Sequence, residues 1–227
     1  MLQQDKDYVL SMGAVFLEEN IFYIPNFFNK DLILKIEKEI NEETKWTFDD
    51  HGKNFADSFI IKNPETLEEI DRIYDRFSKW PSFGENFSNV KDFVFHNVKW
   101  VRRRGPGSRE LGMGAHWDGD PSPKYINPKT NGAIRVPNRT KWGCVIYLND
   151  NFNGGELFYN DLDIRFKPVT GTLICHATDN ARYKHSVFDA DAPRYNLIMN
   201  FMYGEINEPE NGETYYSFNK EIESKKI

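Results

Sequence analysis

The sequence predicts a mainly β fold with flanking helices: a sandwich or barrel-like jelly roll with two N-terminal helices packed outside its core. Three observations carry this. After residue 90, short apolar segments alternate with period two and recur about every 8–12 residues between Gly, Pro, Asn and Asp punctuation. Before residue 90, two segments carry apolar residues at helical spacing instead. The composition, 39% hydrophobic, 28% charged and 15% aromatic, is that of a globular chain and not a disordered one.

Taken in order, "NIFYIPNFF" is β-branched and aromatic and reads as a strand. Asn29 then suits the N-cap of a helix over "KDLILKIEKEINEE", with Asp31 in its first turn and Leu32, Ile33, Ile36 and Ile40 on one face. A second helix starts at Asn63-Pro64, where proline fits the first helical position. Leu67, Ile70, Tyr74 and Phe77 make its apolar face, and "WPSFGEN" ends it. "DFVFHNVKWVRRR", "WGCVIYLND", "GELFYN", "DIRFKPV", "GTLICHA", "HSVFDA" and "RYNLIMNFMYG" read as the strands that follow. Residues 119 to 140 form one long irregular segment, of the kind that serves as a lid, a binding loop or a disordered stretch. The charged end "NKEIESKKI" reads as a solvated helical or frayed terminus.

A chain of 227 residues suits one domain with a sizeable core, divided into helical support over about 1–90 and a jelly roll over about 91–206. The net charge of −6 and pI near 5.5 give no reason to expect nucleic acid or an anionic membrane as partner. The first twenty residues lack a basic segment followed by an apolar run, and no stretch of about 18 apolar residues occurs, so neither a signal peptide nor a membrane span is expected. Cys144 and Cys175 both lie in apolar strands. A disulfide scaffold is not expected from them, and the cytoplasm is the default compartment.

The stretch "GAHWDGD" places His116 and Asp118 two residues apart among glycines. On a strand these side chains share a face and could reach one metal ion, while Trp117 between them faces the other way into the core. His176 and His185 lie on later strands, and spacing does not choose between them. Two histidines and a carboxylate on one face of a metal form the facial triad of non-haem Fe(II) oxygenases. His51 and His96 read as surface or satisfied core residues. Arg194 begins an apolar strand, a costly place for a guanidinium unless it faces an anion, and its planar fork suits a carboxylate. Tyr147, inside "CVIYLND", needs a buried partner if its phenol points inward. Arg102, Arg103 and Arg104, with Tyr125 on the long loop, are candidates for substrate contacts.

These pieces resemble, in order, the Fe(II)/2-oxoglutarate-dependent dioxygenases, and specifically their prolyl 4-hydroxylase-like branch. "HWD" is similar to the His-x-Asp motif. "RTKWGCVIYLNDNFNGGELFY" is similar to the Tyr-Leu-Asn-Asp and Gly-Gly-Glu block, and "KPVTGTLICH" to Pro-x-x-Gly. "HSVFDADAPRYNLIMNF" resembles the distal histidine followed by a basic residue, and "NIFYIPNFFNKDLILKIEKEI" the branch's first strand and helix. The resemblance implies a double-stranded β-helix (jelly-roll, cupin-like) and selects His116, Asp118 and His185 as catalytic iron ligands. It places Arg194 on the C5 carboxylate of 2-oxoglutarate, with Tyr147 nearby. Gly154 and Gly155 resemble a hairpin turn before Glu156.

The chain departs from the pattern in carrying arginines before the His-x-Asp motif, where a tyrosine is common, and Arg194 where animal prolyl hydroxylases carry lysine. Asn200 stands where the nucleic-acid demethylase branch usually has a second arginine. The implied activity is hydroxylation with Fe(II), 2-oxoglutarate and O2, releasing succinate and CO2, with ascorbate a further candidate. A prolyl residue in a peptide or protein is the expected substrate. The alternatives are a free amino acid or small metabolite, a cupin-type metalloenzyme without 2-oxoglutarate, or a non-catalytic jelly-roll binding module. A monomer or weak homo-oligomer is expected.

Overall fold

The computed structural model describes residues 1–42, 46–48, 57–81, 87–89, 100–108, 111–118, 125–126, 133–134, 140–178 and 180–203. His51, His96, the C-terminal end and most of the 119–140 segment lie outside them. In chain order the elements are α1 (Gln3–Ser11), β1 (Val15–Glu18), β2 (Ile21–Ile24), α2 (Lys30–Glu42), β3 (Thr47–Phe48), β4 (Asp57–Ile60), α3 (Pro64–Phe77), β5 (Phe87–Asn89) and β6 (Trp100–Arg104). There follow β7 (Met113–His116), β8 (Tyr125–Ile126), β9 (Ala133–Ile134), β10 (Thr140–Tyr147), β11 (Leu157–Tyr159), β12 (Ile164–Phe166), β13 (Leu173–Ala177), β14 (His185–Val187) and β15 (Arg194–Tyr203).

Both expected helices form where their caps direct. The Asn29 side chain accepts the Leu32 amide at 2.8 Å, and Asn63 accepts those of Glu65 and Thr66. Leu32, Ile33, Ile36 and Ile40 are buried along α2, as are Ile70, Tyr74 and Phe77 along α3, with Leu67 at the margin. A third helix, α1, and strand β1 were not expected. Only Asp5 and Val9 of α1 are buried, so the segment carries no apolar stripe to betray it.

Two antiparallel sheets form the body. The larger has the order β1-β2-β13-β10-β15-β6-β4-β3, with β5 also on β15, and the smaller has the order β12-β11-β14-β7. Strand alternation gives the large sheet two faces. Phe22 and Trp142 point outward, meeting Trp80 after α3 at ring distances of 5.8 and 5.3 Å, and Phe77 continues the cluster. Tyr23 and Tyr147 point inward to Phe166 of the small sheet, at 5.3 and 6.0 Å. The inner face is therefore the seam between the sheets.

Cys144 and Cys175 correct one expectation. They are direct partners in the β10–β13 register, their Cα atoms lie 4.3 Å apart, and their sulfurs are bonded in a disulfide. Antiparallel pairing of two strands whose cysteines fall in register is what brings them together. The thiol-based argument for a reducing compartment lapses with it. None of the described helices is long and apolar enough to cross a membrane.

Candidate metal centre

β7 and β14 are neighbours in the small sheet, and their register sets His116 directly opposite His185. On the other side of β14, Tyr159 of β11 faces His185. Tyr159, His185 and His116 thus form a row across the small sheet. β7 ends at His116, so Asp118 does not share a strand face with it as expected; a turn carries the carboxylate back instead. The outcome is still convergence: one ligand atom from each of His116, Asp118 and His185 lies within 4.8 Å of the others. Trp117 is half-buried, and its indole N–H donates to the Thr178 carbonyl at 2.8 Å.

The hydrogen bonds of the imidazoles separate the three histidines. His116 and His185 each set Nδ1 3.0 Å from the carbonyl two residues earlier, Gly114 and Tyr183. A carbonyl only accepts, so each Nδ1 carries a proton. The two Nε2 atoms differ: that of His185 has no hydrogen bond among the described residues, while that of His116 lies 3.3 Å from Asp118 Oδ1, within the ligand group. In His176, Nε2 lies 3.1 Å from Asp118 Oδ2 and Nδ1 lies 3.0 Å from the Tyr159 hydroxyl. Both of its ring nitrogens are engaged. It is His185, not His176, that joins His116 and Asp118 in one group able to hold a metal ion.

Electrostatics follow this arrangement. Burial, joined by the facing His176, pushes His185 down to about 3 against the pull of Asp118, so the ring is neutral at physiological pH. Burial would lower His116, but its bond to Asp118 and the charge of that carboxylate outweigh it and raise the pKa. Burial would raise Asp118; the surrounding His185, His116 and His176 outweigh it and hold the carboxyl well below its usual range. His185 is thus neutral and Asp118 ionised, whereas Asp118 favours a proton on His116; both rings must be neutral to hold a divalent cation, so a metal here would displace that proton. Two imidazoles, one carboxylate and open positions suit Fe(II) in particular.

Arg194, at the start of β15, is 2% exposed on the inner face. Its Nη1 donates to the Gly155 carbonyl at 3.1 Å, its only hydrogen bond among the described residues, and its guanidinium lies 5.8 Å from the Tyr147 ring. Burial works against its charge and also raises the Tyr147 phenol, an effect that Arg194 and then Arg104 oppose. A buried cation with most of its fork unused is a place for an anion.

Gly154 and Gly155 do not make a hairpin between paired strands. They lie on the crossover from β10 in the large sheet to β11 in the small one, both at positive φ, and Gly154 bridges to Ala190. A Cβ on Gly154 would strike the Asp189 carbonyl. One on Gly155 would sit 2.7 Å from the Phe152 ring and 3.3 Å from Arg194 Cδ.

Of the three arginines on β6, Arg103 is committed to the scaffold. It bonds Asp57 at 2.7 Å and the Gly107 carbonyl at 2.8 Å, and lies over the Trp46 ring at 4.5 Å. Arg104 is buried and pairs in register with Arg194. Tyr125 belongs to the short β8–β9 pair, and Arg135 and Arg139 lie outside the described residues. The sequence offered His176 only as an alternative ligand to His185, and did not mark Tyr159 and Gly143 as neighbours of the group. A lone histidine inside the apolar run "LICHA" was the available signal.

No protein-family model matches the sequence, and no curated protein matches it. Solved structures do. A prolyl-4-hydroxylase from Pseudomonas putida superposes with a TM-score of 0.53 at 18% identity, over 89% of this chain and 98% of that one. The viral collagen prolyl hydroxylase of Paramecium bursaria Chlorella virus-1, in its 2-oxoglutarate complex, gives 0.55 at 14% identity over 81% and 96%. A Trichoplax adhaerens prolyl hydroxylase, in complex with a hypoxia-inducible-factor peptide fragment, gives 0.56 at 15% over 88% and 90%. The fold is that of the 2-oxoglutarate–Fe(II) oxygenases. The mainly β double-stranded β-helix with outer helices, expected from the sequence, is therefore the fold observed, and its structural neighbours fall in the branch that the motifs resemble.

Proposed function

We propose that this chain is an Fe(II)- and 2-oxoglutarate-dependent dioxygenase that hydroxylates a prolyl residue in a peptide or protein. One observation carries the reading: the His116, Asp118 and His185 group and the buried Arg194 open on the same seam between the two sheets. His116 and His185 would hold iron through Nε2, and Asp118 would contribute the balancing negative charge. The chemistry iron supplies when bound is activation of O2, coupled to conversion of 2-oxoglutarate to succinate and CO2 and to oxygen insertion into a C–H bond.

The protein's share is placement. The Gly114 and Tyr183 carbonyls hold a proton on each Nδ1 and so leave Nε2 as the atom that would bind iron. Arg194 would clamp the distal carboxylate of 2-oxoglutarate through a charge-assisted fork, with the Tyr147 hydroxyl beside it. Phe166 and Tyr147 close the apolar floor of the seam and keep water from that ion pair.

Peptidyl proline is favoured as substrate because the neighbours described as prolyl hydroxylases recur, one of them with a bound peptide fragment. The test is incubation with Fe(II), 2-oxoglutarate, ascorbate and air against a panel of proline-containing peptides and free amino acids. Succinate release and a mass gain of one oxygen on proline are expected. Turnover of a free amino acid with no peptide modified would assign a small-molecule hydroxylase. Metal binding without any succinate formation would assign a binding module.

A further inference from the structure

We propose that Tyr159 and His176 are positioning residues that clamp one oxygen of Asp118, so that only its other oxygen is offered to the metal; this rests on the oxygenase reading above. The carboxylate is shared out by its contacts. Oδ1 faces His116 Nε2 at 3.3 Å, within the ligand group, while Oδ2 takes the His176 bond at 3.1 Å.

The direction of the chain of bonds follows from chemistry. An ionised carboxylate only accepts, so His176 Nε2 carries the proton and donates it. Nδ1 is then the acceptor, and the Tyr159 hydroxyl donates to it at 3.0 Å. Tyr159 is fully buried and His176 is 2% exposed, so water does not compete for the bond between them; Asp118, at the other end, is half-buried.

The clamp spans the core. Tyr159 stands on β11 in the small sheet and His176 on β13 in the large one. The Asp118 turn is thereby tied to both sheets, although it belongs to no strand. Gly143, the β10 partner of His176, leaves the room: a Cβ there would lie 2.9 Å from both Asp118 Oδ2 and His176 Nε2 and would wedge the bond apart. A carboxylate free to rotate could offer both oxygens and fill a coordination position that the co-substrate needs. A clamped one gives a single oxygen in a fixed direction.

The experiment is a Co(II) titration of metal-free protein, read by visible absorption. It compares wild type with His185→Ala, His176→Gln and the double variant His176→Phe/Tyr159→Phe. The double variant removes the His176 and Tyr159 polar groups together, so no buried hydroxyl is stranded, but it leaves Asp118 Oδ2 without its donor; thermal melting without metal is therefore measured alongside, and affinity is read on folded protein. It should bind Co(II) roughly 10–100-fold more weakly, with a changed absorption spectrum. His176→Gln, whose amide can still donate to Asp118, should recover most of the affinity.

Wild-type affinity and spectrum in the double variant would overturn the clamp while leaving the metal site standing. Complete loss of binding in His176→Gln, matching His185→Ala, would make His176 a ligand and overturn it as well. Failure of the wild type itself to bind Co(II) would overturn the clamp and the oxygenase reading together.

Discussion

At the residue scale, the site separates histidines by what their second nitrogen does. His116 and His185 spend Nδ1 on a local carbonyl; Nε2 of His185 has no hydrogen bond among the described residues and that of His116 faces Asp118 Oδ1 within the ligand group, whereas His176 joins Asp118 Oδ2 to the Tyr159 hydroxyl. Replacing His116 or His185 by Ala is expected to abolish stoichiometric Fe(II) binding, measured by metal analysis after anaerobic equilibration. Retention of a full equivalent of iron in His185→Ala would remove it from the ligand set. In the proposed reading Arg194 bears on the co-substrate and not on the metal. Arg194→Met removes a charged donor worth roughly 1.5–3 kcal/mol per hydrogen bond, so the KM for 2-oxoglutarate should rise by about 10-fold or more. Arg194→Lys keeps the charge, loses the fork and should fall between. Titration of 2-oxoglutarate into both variants checks this, with Fe(II) affinity unchanged.

At the scale of elements, the β10–β11 crossover sets the position of Arg194. Gly155 holds φ at +69° and its backbone oxygen receives the Arg194 guanidinium. Gly155→Ala should cost about 1–2 kcal/mol for the left-handed backbone, plus the displacement of Phe152 and Arg194 that an added Cβ forces. The expected signature is a lower Tm together with weaker 2-oxoglutarate binding at undiminished metal affinity. The disulfide acts on stability instead. Its 31-residue separation is worth about 3–4 kcal/mol in the chain-entropy account. A Cys144→Ala/Cys175→Ala variant should melt lower, and thiol titration of the unfolded wild type without reductant should find no free thiol.

The elements themselves were largely legible: α2 and α3 announce themselves by four-residue apolar spacing behind Asn29 and Asn63, and the strands by alternation. Strand neighbours were not legible, because a period of two fixes the face of a residue and not the strand beside it. Cys144 meets Cys175 through a pairing register, and His176 meets Asp118 across the seam between the sheets; the sequence writes down neither. The three residues of the candidate metal group follow the motif order along the chain, but they converge through a turn at Asp118 and not through a shared strand face.

At the scale of the whole molecule, the seam joins the sheets. A ligand there would touch β7 and β14 on one side and β10 and β15 on the other, with Phe77 of α3 and Trp80 packed behind the large sheet. Occupancy of the seam should therefore stabilise the entire double sheet by linkage, about 2.7 kcal/mol at a hundredfold excess over Kd. A rise in Tm with Fe(II), and a further rise when 2-oxoglutarate is added to it anaerobically, is the expected pattern. The most direct measurement is anaerobic calorimetry of 2-oxoglutarate binding with and without Fe(II). Binding of one equivalent that requires the metal, and that is lost in Arg194→Met, is the result expected if the triad and Arg194 hold the two ends of the co-substrate. Binding of equal strength without metal, or none in the iron-loaded protein, would contradict it.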